Sequence, residues 1–234
     1  MPTVPSTASE VGREDARTFG ELATDLLRRL GQDVNDLQNR SLAQSSLRQA
    51  VQSFNMLKSW VDRRLVANVA LVAGTETYEL PSRFRRLVGR AYLLDSAGKR
   101  LFPVEDIPYE EYLMRVRVEN VADSFPIVFF IQNRVNDSLL TVWPAPNAAS
   151  VTAYPTLMLA YFADIPSPND ESDHLGVSEA LEAAIFSEAL YVLNDMIGSS
   201  EKARSLLAQA MAHKQMAVGY DNEFRLNMTK LRGR

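Results

Sequence analysis

Cysteine is absent from this 234-residue chain, which removes disulfides, thiol nucleophiles and thiolate metal sites from consideration. Histidine occurs only twice, at His174 and His213, with a spacing that suggests no shared ligand. No Gly-x-Gly-x-x-Gly, Gly-x-x-x-x-Gly-Lys-Ser/Thr or Gly-x-Ser-x-Gly segment is present, so the common nucleotide-binding and nucleophile-elbow signatures are missing. No apolar run reaches the roughly 18 uncharged residues of a membrane span. The most apolar stretch, residues 180–197, carries Glu182, Glu188 and Asp195 and reads as a buried helix. The opening residues, MPTVPSTASEVGRED, lack the apolar core of a secretory signal, so a chain that folds in the cytoplasm is expected.

What remains is ordinary globular composition. Hydrophobic residues make up 46% and charged residues 23%, and the net charge of −4 gives no general drive toward nucleic acid or an anionic membrane. Residues 1–17 read as a flexible arm. Thr18-Phe19-Gly20-Glu21 has the form of a capping box and should open a helix that stops at Gly31. Ser41-Leu42-Ala43-Gln44 repeats that signal. Behind it Leu47, Ala50, Val51, Phe54, Leu57, Val61 and Leu65 step by three and four, which predicts a long helix over about residues 42–66.

The character changes from Val69 to Phe162, where β-branched and aromatic residues alternate with turn signals. Ser96-Ala97-Gly98-Lys99 separates 87–94 from 100–105, and Asn136-Asp137 separates 127–134 from 139–143. Both pairs predict hairpins. A further strand is expected over 153–162, and a short helix around 109–116. Strands arriving in hairpins disfavour parallel βαβ architecture. After the breaker 166–171, residues 178–197 predict a helix buried on several sides, ended by Gly198. From Ser200 a last long helix carries Leu206, Ala210, His213, Ala217, Tyr220 and Phe224 as a seam. The expected fold is α+β. A bundle of about four helices (18–66 and 178–223) holds an inserted antiparallel β domain of hairpins (67–177), and a long C-terminal helix ends in an arm (224–234).

No residue constellation earns a catalytic, cofactor or metal role. Asp170, Glu171, Asp173 and His174 read as a solvated acidic loop before a helix, and His213 as a packing histidine on the seam. Glu182 and Glu188 are expected to face solvent or to pair with arginines. Two basic features stand out. Arg83, Arg85, Arg86 and Arg90 cluster near Tyr78 and Phe84, a pattern that serves either salt bridges between subunits or contacts to phosphates. The tail from Phe224 carries Arg225, Lys230, Arg232 and Arg234 without an acid and reads as a docking arm.

Several local sequences, in order, resemble the adaptor (connector, or tail tubular A-type) proteins of tailed phages. They are Ala43–Arg64 with Phe54-Asn55-Met56-Leu57-Lys58-Ser59-Trp60, and Tyr78-Glu79-Leu80-Pro81 followed by Phe84 and Arg86-Leu87. Leu140-Thr141-Val142-Trp143-Pro144-Ala145-Pro146 comes next, then Leu159-Ala160-Tyr161-Phe162 before Pro166–Pro168. The helices from Glu179, with Ser200-Glu201-Lys202-Ala203 opening the last, complete the set. The resemblance implies a non-enzymatic virion protein, assembled in the host cytoplasm into a homo-oligomeric ring, typically twelve-fold, at the head–tail junction. Its implied partners are the portal and the tail nozzle or tube, with DNA crossing the lumen unread and no membrane involved. The implied C-terminal contact with the portal suits Arg225–Arg234. A tail terminator or other neck protein, and a nucleic-acid-binding regulator, are the alternative readings.

Overall fold

A computed structural model describes residues 16–81, 83–118, 124–133, 138–198 and 202–232. In chain order the elements are α1 (Phe19–Leu30), α2 (Leu37–Leu57), a 3-10 turn (Val61–Arg63), β1 (Arg64–Ala70), β2 (Thr77–Glu79), β3 (Phe84–Leu87) and β4 (Ala91–Leu94). There follow β5 (Arg100–Asp106), α3 (Tyr109–Val118), β6 (Val128–Asn133), β7 (Ser138–Trp143), α4 (Ala148–Ala153), β8 (Thr156–Ala163), α5 (Glu179–Met196) and α6 (Ala203–Arg232). The protein is therefore α+β. It divides into a sheet unit, residues 64–163, and a helical unit formed by the segments before and after it.

In the helical unit the sequence signals at α1 act as written. Glu21 Oε2 accepts the Thr18 N–H at 2.8 Å, Thr18 Oγ1 accepts from Glu21 N at 3.2 Å, and Gly31 ends the helix in the left-handed region at φ 69°. The Phe19 and Gly20 N–H groups donate to the carbonyls of Asp173 (2.7 Å) and Glu171 (2.9 Å), so the chain past residue 170 completes the N-terminal cap. A side chain at Gly20 would meet the Glu171 Cβ at 3.1 Å, which is why this turn carries none.

The second helix differs from expectation at both ends. Asp36, not Ser41, is its N-cap, and the carboxylate accepts from the N–H groups of Gln38 (2.7 Å) and Asn39. At the other end Lys58 turns extended, and Trp60 folds back so that its Nε1–H donates to the Phe54 carbonyl at 3.1 Å. That bond satisfies one orphan carbonyl of the last turn and releases the chain into β1. Leu57 is consequently exposed, Val61 lies in the 3-10 turn and Leu65 in a strand. α5 is buried on most sides through Leu181, Ile185, Phe186, Ala189, Leu190 and Leu193, and packs against α1, α2 and α6. Residues 164–177, expected with the strands, belong to this unit: the Asn55 amide clamps Ile165 through its carbonyl (2.9 Å) and its N–H (2.8 Å).

The strands of the sheet unit run in the order β1-β8-β4-β5-β6-β7-β2, with β3 paired to β8. Laid flat, that path is about 29 Å wide at roughly 4.8 Å per step. The end strands β1 and β2 are joined by residues 71–76 alone, a reach of at most about 24 Å. The sheet therefore curls, and its concave face holds a core that includes Val69, Tyr78, Leu93, Phe129, Leu140 and Leu157. The connecting loop is pinned by the Tyr78 hydroxyl, which accepts from Val72 N (3.1 Å) and donates to the Thr75 carbonyl (2.8 Å). β4–β5 and β6–β7 are antiparallel pairs, as the hairpin signals require. Asp95 closes the first turn by accepting from Ala97 and Lys99 N–H groups, while Asn136-Asp137 lie outside the described residues. One expectation is overturned. β5 pairs parallel to β6 at Glu105↔Val128 and Asp106↔Phe129, and α3 forms the crossover. α3 packs on this corner, where Tyr112 lies against Val128, Trp143 and Ile107 and meets the Phe130 ring at 4.6 Å with the two planes tilted by 48°. β7 is thus buried on both faces.

Candidate functional site

The feature that sequence reasoning points to most directly is the long last helix, and its attachment is chemical rather than merely apolar. α6 is 30 residues long, about 45 Å at 1.5 Å per residue. It rests on the helical unit through Ala210, Ala217 and Asp221, which are buried. Of the expected seam, Leu206 and His213 are half-buried and Tyr220 is exposed, so the stripe drifts off the core after Ala217 and is taken over by Asp221.

Asp221 is the centre of a four-point anchor. Its carboxylate accepts the Val61 N–H (2.6 Å), is bridged by Lys58 Nζ (2.6 Å) and by Arg225 Nε (2.8 Å), and Arg225 also donates to the Ser59 carbonyl. Burial alone would raise the Asp221 pKa. The Lys58 bond, the Val61 N–H and the Arg225 guanidinium outweigh it and hold the carboxyl below the usual carboxylate range. The anchor joins α6 to the segment where α2 ends. Sequence reasoning missed it. The available signal was the i,i+4 pair Asp221–Arg225 continuing the Ala210–Ala217 stripe.

Arg225, expected on a free arm, is therefore held within the unit. α6 continues as helix through the expected arm to Arg232, the side chains of Phe224, Lys230 and Arg232 are not described, and Arg234 lies outside the described residues. Most of the expected N-terminal arm, residues 1–15, also lies outside them. Arg17 is tied down: it bridges Glu182 at 2.7 Å and Asp25 at 3.3 Å, and lies over the Phe186 ring.

The arginines of the sheet unit differ in exposure. β3 bulges between Phe84 and Arg86 where it pairs with Ala163 and Phe162. Phe84 turns inward and stacks on Tyr161 at 5.3 Å, while Arg86 lies outside over the Phe162 ring at 5.0 Å. Arg83 and Arg90 are exposed and Arg85 is half-buried.

The residues weighed for chemistry are used structurally. His213 Nδ1 meets the hydroxyl of Ser187, which is buried on α5 and donates to the Ala183 carbonyl (2.9 Å). Glu182 is held by Arg17, and Glu188 accepts from Ser53 (3.2 Å) and Lys214 (3.4 Å). In the acidic loop Asp173 accepts from Asn169 and Asp170 N–H groups and Glu171 pairs with Arg40 at 2.7 Å. No cluster of three metal-ligating side chains occurs among the described residues. No described helix is long and apolar enough to cross a membrane.

With the anchored terminal helix and the sheet unit described, comparison with known proteins adds a family. The sequence profile of the SU10 adaptor proteins matches residues 17–232. The chain belongs to the SU10 adaptor protein family. This adaptor matches no curated protein. Among solved structures it overlays a chain from the neck of an empty GTA particle computed with C6 symmetry (15% identity, TM-score 0.30, 81% of this chain and 82% of that one). It also overlays a chain from the virion of a native gene transfer agent particle (15%, 0.29, 80% and 81%). A third is from the neck of a native GTA particle computed with C12 symmetry (13%, 0.29, 80% and 81%). These are loose overlays, and the assignment rests on the family match.

Proposed function

We propose that this adaptor is a non-enzymatic structural subunit of a tailed virion, one copy in a ring seated between the portal and the tail nozzle or tube. The family match across residues 17–232 carries the reading. In it, α1, α2, α5 and α6 form a four-helix bundle with the hairpin-rich sheet inserted, and a twelve-fold ring encloses a lumen through which DNA passes unread. The basic end of α6 supplies the portal contact, with Lys230, Arg232 and Arg234 as its charges once Arg225 is assigned to the anchor. A net charge of −4 suits a channel, because a strongly basic lumen would retain passing DNA through phosphate contacts. The expected N-terminal arm, 1–17, is kept in this reading as a second docking segment only up to residue 15, since Arg17 is held by Glu182 and Asp25.

The test is cryo-electron microscopy of the purified protein mixed with the portal of the same virion. A ring of this chain beneath the portal supports the reading and identifies the docking end. A protein that leaves the portal bare refutes it and moves the assignment to another neck or tail component, such as a tail terminator.

A further inference from the structure

The core of the sheet unit reaches the surface at Tyr154, which packs against the buried cluster on one side and against Phe102 and Phe125 on the other. Phe102 and Phe125 stack at 6.2 Å, and Tyr154 meets them edge-on at 5.5 and 6.4 Å. The parallel register brings the two phenylalanines abreast, because Glu105 pairs with Val128 and each ring stands three residues earlier on its own segment. Phe102 is 46% exposed, and Phe125 and the neighbouring Ile127 are each 42% exposed. Scattered apolar side chains at a surface need no explanation, whereas a contiguous aromatic group of this kind is read as a binding surface.

The chain itself supplies a segment of matching chemistry. It begins Met1-Pro2-Thr3-Val4-Pro5, a Pro-x-x-Pro sequence, and residues 1–9 contain no charged side chain. Each proline fixes its own φ and pushes the residue before it, Met1 or Val4, toward extended backbone. That biases the segment toward a polyproline II helix, whose three-residue turn sets Pro2 and Pro5 on one edge about 9 Å apart. The spacing suits a triangle of rings 5.5–6.4 Å between centroids. Aromatic surfaces hold such segments well, because a helix already stiffened by proline has little conformational entropy left to lose.

We propose that Pro2-Thr3-Val4-Pro5 seats on the Phe102, Phe125 and Tyr154 rings in the free chain. The proposal rests on the reading of residues 1–15 as a docking segment, whose receptor it names, and not on the ring. Length allows it. The residues before Ala16 span at most about 50 Å when extended. That exceeds the breadth of about 34 Å implied by a radius of gyration of about 13 Å for a unit the size of residues 64–163. A small contact is enough, because residues 6–15 tether the segment. A short flexible tether keeps its end at an effective concentration in the millimolar range, so a contact too weak to hold a free peptide still closes.

The absence of native cysteine makes the test clean. The full chain carrying Ser6→Cys is labelled with a nitroxide, and its amide NMR signals are compared before and after the label is reduced. Paramagnetic broadening should centre on Phe102, Phe125 and Tyr154. Replacing both prolines, Pro2→Ser with Pro5→Ser, should lower the bound-to-free ratio about tenfold and relieve most of that broadening. Phe102→Ser, at an exposed position, should do the same from the receptor side, with amides elsewhere reporting that the fold is kept. No broadening, broadening centred on another surface, or broadening that survives either set of substitutions would overturn the proposal and leave the rings to a different partner. The measurement uses the free protein, so its failure leaves the portal test standing, and a bare portal leaves this contact standing.

Discussion

Replacing Asp221 by alanine removes the acceptor that Val61 N–H, Lys58 and Arg225 share, and the consequence can be worked from the geometry. Bonds to charged groups contribute about 1.5–3 kcal/mol each, and stranding buried partners adds desolvation. Lys58 and Arg225 keep 20% and 32% side-chain exposure, so both regain water, and the contributions fall short of their sum; the net loss lies near the lower end of the roughly 3–5 kcal/mol for breaking a buried ion pair, about 3 kcal/mol. In urea that is a fall of about 1 M in midpoint at a slope of about 3 kcal/mol/M. Asp221→Asn should lose less, because an amide oxygen still accepts from Val61. The pH dependence has a definite sign. The folded-state pKa of Asp221 is depressed, so its stabilisation is fully present above the unfolded value of about 3.9 and is lost as pH falls through the folded value. The gap between wild type and Asp221→Asn, measured by urea unfolding from pH 7 to pH 3, should be widest at neutrality and shrink at the acid end. A gap that stays constant, or an alanine variant within about 0.5 kcal/mol of wild type, would refute the anchor.

Three further perturbations separate the elements. Thr18→Ala removes one arm of the capping box and should lower stability by about 1 kcal/mol in chemical denaturation, with Thr18→Ser restoring most of it. Leu93→Ala opens the core of the curled sheet at a fully buried position and should cost about 3 kcal/mol, read as a lowered melting midpoint. If these four arginines serve salt bridges rather than phosphates, substituting Arg83, Arg85, Arg86 and Arg90 together by alanine should leave duplex affinity unchanged. Wild-type binding whose log–log salt slope approaches −3.6, the value for four phosphate contacts, would favour the nucleic-acid-binding alternative.

Much of the secondary structure was legible in the sequence because its signals are local. The Thr18–Glu21 box, Gly31, the turn at 95–99 and the apolar run of α5 each report a backbone requirement within a few residues, and each acts where it stands. The departures arise where a distant group competes. The apolar stripe through Leu57, Val61 and Leu65 would continue α2, yet Trp60 finds the Phe54 carbonyl and Asp221 captures the Val61 N–H from 160 residues away. Periodicity cannot register a bond of that separation. The parallel step between β5 and β6 is hidden for the same reason, since α3 is short and reads as an inclusion between hairpins rather than as a crossover.

The same competition explains why the basic residues were only half legible. Composition marks a charge but not its commitment. Arg17 and Arg225 look like parts of mobile ends and are instead spent on Glu182 and Asp221, whereas Lys58 looks like a surface residue and is part of the anchor. The same commitment holds on α2 and α6, where Arg40, Arg48 and Lys214 turn to Glu171, the Pro168 carbonyl and Glu188. The salt dependence of the proposed portal contact tests which charges are left uncommitted. Contact through Lys230, Arg232 and Arg234 should weaken as salt is raised, and a contact unchanged from low to high salt would contradict the proposal.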